Sequence, residues 1–105
     1  MTMADRERDF ENRFIHDQEL KFRIRARRNK LAGLWAAGII GKTGADANAY
    51  AQEIVRVDFE KPGDDDVFEH LRDDLAKAGS DLSDADIRAK LVELLQQAER
   101  EVMAE

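Results

Sequence analysis

The sequence predicts an all-α fold: a small four-helix bundle preceded by a mobile N-terminal segment. Three observations predict it. Apolar residues recur at the 3.6-residue helical period in four separate stretches, proline occurs once in 105 residues (Pro62), and no apolar–polar alternation is long enough for a half-buried strand. A chain of this length makes one domain with a single packed core and needs no staples. Two parts are expected within it: residues 1–16 as the mobile segment and residues 17–105 as the four-helix body.

Residues 1–16 mix acids and bases and carry only Phe10, Phe14 and Ile15 as sizeable apolar groups. A lone helix of that length is marginal in water, so the segment is expected to fray when free. Phe10 and Phe14 stand four apart, however, and a helical form would bring both rings to one side. Burying the three apolar groups on a partner is worth roughly 5–9 kcal/mol at about 1.5–3 each. Ordering the segment costs roughly 2–5 kcal/mol of that.

The body's first helix is expected from an N-cap near Asp17 to a left-handed C′ glycine at Gly41. On it Leu20, Ile24, Leu31, Leu34, Trp35 and Gly38 fall on one face, and Ala26, Gly33, Ala37 and Ile40 on the opposite one. The small residues would allow close approach of a second element. Leu31 to Ile40 carries no charge, which suits a central helix covered on both sides and is too short to span a bilayer. Arg27 interrupts the apolar face, so it must pair with a carboxylate from another helix or point into a site.

A second helix opens near Gly44 and Asp46, with Ala47, Tyr50, Ala51, Ile54 and Val57 as its stripe; Phe59, Pro62 and Gly63 mark its end. Asp64, Asp65 and Asp66 then suit the positive end of a third helix dipole. That helix buries Val67, Phe68, Leu71, Leu75 and Ala78 and stops at Gly79. In the fourth, Ser83 and Asp86 approximate a capping box ahead of Ile87, Leu91, Leu94, Leu95, Ala98 and Val102.

Charge is segregated along the chain. Residues 1–20 carry a net −3, residues 21–43 hold seven Lys or Arg and no acid, and residues 44–105 carry a net −10. A basic stretch between acidic ones favours pairing inside the fold, above all with acids of the third and fourth helices. The rival is an anion or a nucleic acid held by two basic rows, Lys21, Arg25 and Arg28 in one and Arg23, Arg27 and Lys30 in the other. The acidic remainder of the chain and the lack of a stacking platform disfavour nucleic acid. Arg23, Arg25, Arg27 and Arg28 therefore stand as candidate contacts for an anion or a partner.

No enzyme chemistry emerges. Ala36 to Thr43, AAGIIGKT, fits a loose phosphate-loop pattern, but a phosphate loop follows a strand and opens a helix, whereas this one ends a helix. His16 and His70 lack neighbours at metal-ligand spacing, the Asp64–Asp66 run lacks the closing Glu of a calcium loop, and Ser80 and Ser83 have no base. Trp35 and Tyr50 read as core. No catalytic residue, metal or cofactor is expected. With no cysteine and no signal-like apolar run, a cytoplasmic location and no membrane insertion are the default expectations.

Asp17-Gln18-Glu19-Leu20-Lys21-Phe22, Ala26-Arg27-Arg28-Asn29-Lys30-Leu31-Ala32-Gly33-Leu34-Trp35-Ala36-Ala37, Ala49-Tyr50-Ala51 and Asp58-Phe59-Glu60-Lys61-Pro62-Gly63-Asp64-Asp65-Asp66-Val67 together carry a likeness. In these blocks the chain resembles the zeta subunit family of alphaproteobacterial rotary ATP synthases. The resemblance implies a four-helix regulator, a monomer when free, that binds the catalytic head and blocks ATP hydrolysis. By the same resemblance, a mobile N-terminal segment becomes helical as it wedges between alpha and beta subunits near the gamma shaft. Carried onto this chain, that segment is Met1 to about Glu19. Phe10, Glu11 and Phe14 are its most recognisable positions, and Arg13 and Ile15 are further candidate contacts. A helix in a closing interface acts by occupying space, so it needs anchors and matched charges but no catalytic group.

Overall fold

The computed structural model describes the backbone of residues 3–60 and 64–105 and the side chains of residues 16–60 and 65–105. Helix α1 spans Met3–Ile40, α2 Gly44–Glu60, α3 Asp64–Lys77 and α4 Asp84–Met103; the described residues contain no strand. Four helices were expected, and four form. The start of α1 differs from expectation. Asp17 lies inside the helix instead of capping it, because residues 3–16 contain neither glycine nor proline and nothing interrupts the hydrogen-bond ladder before it. The N-terminal segment expected over residues 1–16 is helical in backbone from Met3, and the side chains of residues 1–15 lie outside the described residues.

Helix α1 is the central element. It packs along both α2 and α4, which do not touch each other among the described residues, while α3 reaches all three. This is the two-sided cover that an uncharged Leu31–Ile40 requires, and Ala32, Ala36 and Ala37 are fully buried there. The small-residue face meets α2 at very close range. A Cβ added at Gly33 would stand 2.5 Å from the Ala51 Cα, so only glycine permits that crossing. Gly38, placed by its spacing on the apolar face, is exposed with open space around it.

Gly41 ends α1 at φ 97, and the Lys42 amide donates back to the Ala37 carbonyl at 2.8 Å in a Schellman arrangement. The AAGIIGKT stretch is thus the last turns of a helix and its cap, with no strand ahead of it. Tyr50, Ala51 and Ile54 of α2 are buried as expected, with Val67, Phe68, Leu71 and Leu75 of α3. From α4 come Ile87, Leu91, Leu94, Ala98 and Val102. Ala78 and Leu95 complete their stripes in sequence but remain exposed, Ala78 because it falls in the turn after α3 and Leu95 beside the buried Leu94 of α4. Ser83 caps α4: its hydroxyl accepts from the Asp86 amide at 3.1 Å and the Asp86 carboxylate accepts from the Ser83 amide at 3.1 Å. Pro62 and Gly63 lie outside the described residues.

Candidate functional site

An exposed stretch of α1 precedes the part of the helix that enters the core. From His16 to Arg23 every described side chain is exposed except the half-buried Leu20, although the helix runs unbroken into the core further on. Continuous partial burial begins at Ile24, and Arg28 and Asn29 are the first fully buried residues along the helix. The body therefore holds the C-terminal part of its central helix and leaves residues 16–23 largely uncovered. Phe10, Glu11, Arg13, Phe14 and Ile15 belong to this same helix by backbone, and their side chains lie outside the described residues.

The basic stretch that follows is turned largely inward. Arg25 grips Asp58 of α2 with two hydrogen bonds, Nε to Oδ2 at 2.6 Å and Nη2 to Oδ1 at 2.8 Å. The Asn29 amide donates to the same Oδ2 at 2.9 Å, and the Arg28 Nε donates to the Asn29 Oδ1 at 3.0 Å. Asn29, Arg28 and Asp58 are all buried. Burial by itself pushes the Asp58 carboxyl up, but the hydrogen bonds from Arg25 and Asn29 and the positive charges of Arg25 and Arg28 outweigh it. The net result holds the group below the ordinary carboxylate value. No buried side-chain nitrogen or oxygen among the described residues lacks a partner.

On the other side of α1, Arg27 meets Glu101 at 3.3 Å and also Glu105, and Arg23 meets Glu105 as well. The hydrogen bond to Glu105 is the main influence raising the Arg27 pKa, and Arg27 in turn holds Glu105 low. Arg27 thus finds the carboxylate partner its position demanded, but at an exposed rim instead of in the core. The acids that answer the basic stretch come from α2 and α4. Helix α3, expected to contribute, instead turns its acids elsewhere: Asp74 accepts from the Tyr50 hydroxyl at 2.8 Å and faces His70 at 3.2 Å. Burial, then the Asp74 bond, pushes the Tyr50 phenol far above its usual range.

Of the candidate anion contacts, Arg23, Arg25 and Arg27 are directed onto carboxylates of their own chain. Trp35 is half-buried against the core with Lys90 6.0 Å from its ring, and Tyr50 is buried. His16 is exposed. Among the described residues no three His, Asp or Glu are grouped to hold a metal ion, and no helix is long and apolar enough to cross a membrane.

The network centred on Asp58 escaped periodicity analysis. Its members sit in two blocks about thirty residues apart, Arg25-Ala26-Arg27-Arg28-Asn29 and Asp58-Phe59-Glu60, and only the α1–α2 crossing brings them together. The one available signal was that Arg28, Asn29 and Asp58 stand in blocks that carried the family likeness; Arg25 lies between two of those blocks. A second feature went unforeseen: Phe22 and Phe59 are 59% and 70% exposed and line one groove of about 500 Å³ with Ala26 and Val55.

The comparisons agree with this architecture. A family model described as ATPase inhibitor subunit zeta matches residues 1–101. Among solved structures, one determined in solution by NMR is 42% identical, with a TM-score of 0.71, over 81% of this chain and 96% of its own. No curated protein sequence matches the chain.

Proposed function

Because the chain belongs to the ATPase inhibitor subunit zeta family, we propose that it binds the catalytic head of an ATP synthase and blocks ATP hydrolysis with the N-terminal segment of α1. The observation that supports this most is the exposure of α1 from His16 to Arg23, on a helix whose C-terminal half is the centre of the core. A helix gripped at one end by α2 and α4 is an anchored rod. Inserted between alpha and beta subunits beside gamma, residues 1–16 fill a space that the catalytic cycle must close through.

Each part of the chain has a role in this scheme. Phe10, Phe14 and Ile15 are the apolar anchors, and Glu11 and Arg13 are the charges that set register. The body prevents the segment from being lost as a free peptide, and it transmits load because the helix has no glycine or proline between Met3 and Ala32. Chemistry is not required of any residue. The protein acts from the cytoplasmic side, on the head and not in the bilayer.

Phe10→Ala combined with Phe14→Ala tests the scheme. Titrated against ATP hydrolysis by a purified cognate head, the double variant should need about tenfold or more protein for half-inhibition, since buried aromatic anchors dominate such interfaces. An unchanged titration curve would place the anchors elsewhere. The rival, a polyanion on the basic rows, is less favoured because Arg23, Arg25 and Arg27 are engaged with Glu105, Asp58 and Glu101.

A further inference from the structure

The geometry points to a second docking surface on the body: the groove walled by Phe22 of α1 and Phe59 of α2, which takes an apolar side chain from the same ATP synthase head that holds the N-terminal segment. This rests on the function proposed above. Phe22 and Phe59 leave most of their ring surface in water, although Tyr50 and Phe68, on the same small body, are almost wholly buried. Exposed aromatic residues flanking a common depression are the residue type that dominates protein interfaces. Between them lie Ala26 and Val55, which make the slot apolar, while Arg56 stands exposed on its lining.

Part of the lining is held in place. Arg25, Asn29 and Asp58 line the same groove and are locked by the bidentate bond and the Asn29 amide, so the slot exists before any partner arrives. A preformed slot costs little ordering on binding. The buried network thus contributes the stability while the flanking phenylalanines are free to contact a partner.

The occupant follows from size and continuity. Two rings of about 150–250 Å² each, somewhat over half exposed, offer roughly 200–300 Å². A stable interface between two copies of this chain needs about 500 Å² or more from each. The patch is too small to hold a second copy and large enough to extend an interface anchored elsewhere. Such an anchor is adjacent. Phe22 comes seven residues after Ile15 on one uninterrupted helix, two turns or about 10 Å away, with exposed side chains in between except Leu20. Seven residues return a helix to nearly the same face. A partner closing over residues 3–15 meets Phe22 and then Phe59 next. Linked contacts of this kind add affinity by effective concentration, without altering what the inhibitory segment does once seated.

The test uses the full chain with Phe22→Ser and Phe59→Ser together, titrated against ATP hydrolysis by the cognate head beside wild type and the Phe22→Leu, Phe59→Leu pair. The serine pair should shift half-inhibition by about tenfold to higher protein, with the same inhibition at saturation, and the leucine pair should stay within about threefold of wild type. Melting of each variant, followed by circular dichroism, should match wild type closely because both rings are exposed. Wild-type inhibition with an unchanged serine variant would overturn the docking surface alone, whereas a wild type that does not inhibit would overturn the proposed function itself. Sedimentation equilibrium showing a wild-type dimer that the serine pair dissolves would assign the groove to a second copy and overturn its assignment to the head.

Discussion

Asp58 accepts three hydrogen bonds from two residues of α1 and is the only acid among the buried residues described. Removing its charge leaves Arg25 and Arg28 beside a neutral amide, with Arg28 buried. Breaking a fully buried ion pair costs about 3–5 kcal/mol. The Arg25 side chain is 39% exposed, so screening lowers the figure for Asp58→Asn to about 2 kcal/mol. For a domain of this size that is a fall in Tm of about 8–16 °C at pH 7, measurable by circular dichroism. The pH dependence carries the opposite signature. The folded Asp58 pKa is depressed, so its contribution is present above the ordinary value near 3.8 and is lost as pH falls through and below it. The wild type should therefore lose stability below about pH 4 more steeply than Asp58→Asn. An Asp58→Asn variant that melts with wild type at pH 7 would mean the network contributes nothing to the fold.

Among the elements, the helices were legible where one periodicity decided them and less so where two surfaces competed. The capping box at Ser83 and the left-handed stop at Gly41 follow from local chemistry, and both formed as read. The start of α1 did not: an Asp is a good cap only where the preceding chain breaks, and nothing in residues 3–16 breaks it. Gly33 and Gly38 make the same point. Their spacing put them on opposite faces of one helix, but only contact distance separates a glycine required by packing from one that touches nothing. Gly33→Ala must push the α2 backbone at Ala51 away and should cost about 1–3 kcal/mol. Gly38→Ala faces open space within a helix and should stabilise by up to about 1 kcal/mol. Thermal melts of the two variants moving in the same direction would contradict this placement of α1 against α2.

For the whole molecule, charge segregation along the chain resolves into a spatial pattern. The basic stretch of α1 is flanked by Asp58 from α2 on one side and by Glu101 of α4 and Glu105, just beyond its end, on the other. The share of α4 was expected and Glu101 supplies it; that Asp58 of α2 would serve and the acid-rich start of α3 would not was not legible, because only topology decides it. The candidate site divides in the same way. That the N-terminal segment lacked a core of its own could be read from composition; that the groove beside Phe22 existed could not, because Phe59 becomes its neighbour only through the α1–α2 crossing. Together these features describe a body in which Arg23, Arg25 and Arg27 pair internally and whose central helix is exposed from His16 to Arg23 except at Leu20. The most direct measurement is ATP hydrolysis by a cognate ATP synthase head titrated with the full chain beside a version starting at Asp17, each first shown to be helical by circular dichroism. The account predicts saturable inhibition by the full chain and none by the shortened one, with the body still folded. Full inhibition by the shortened chain would contradict it.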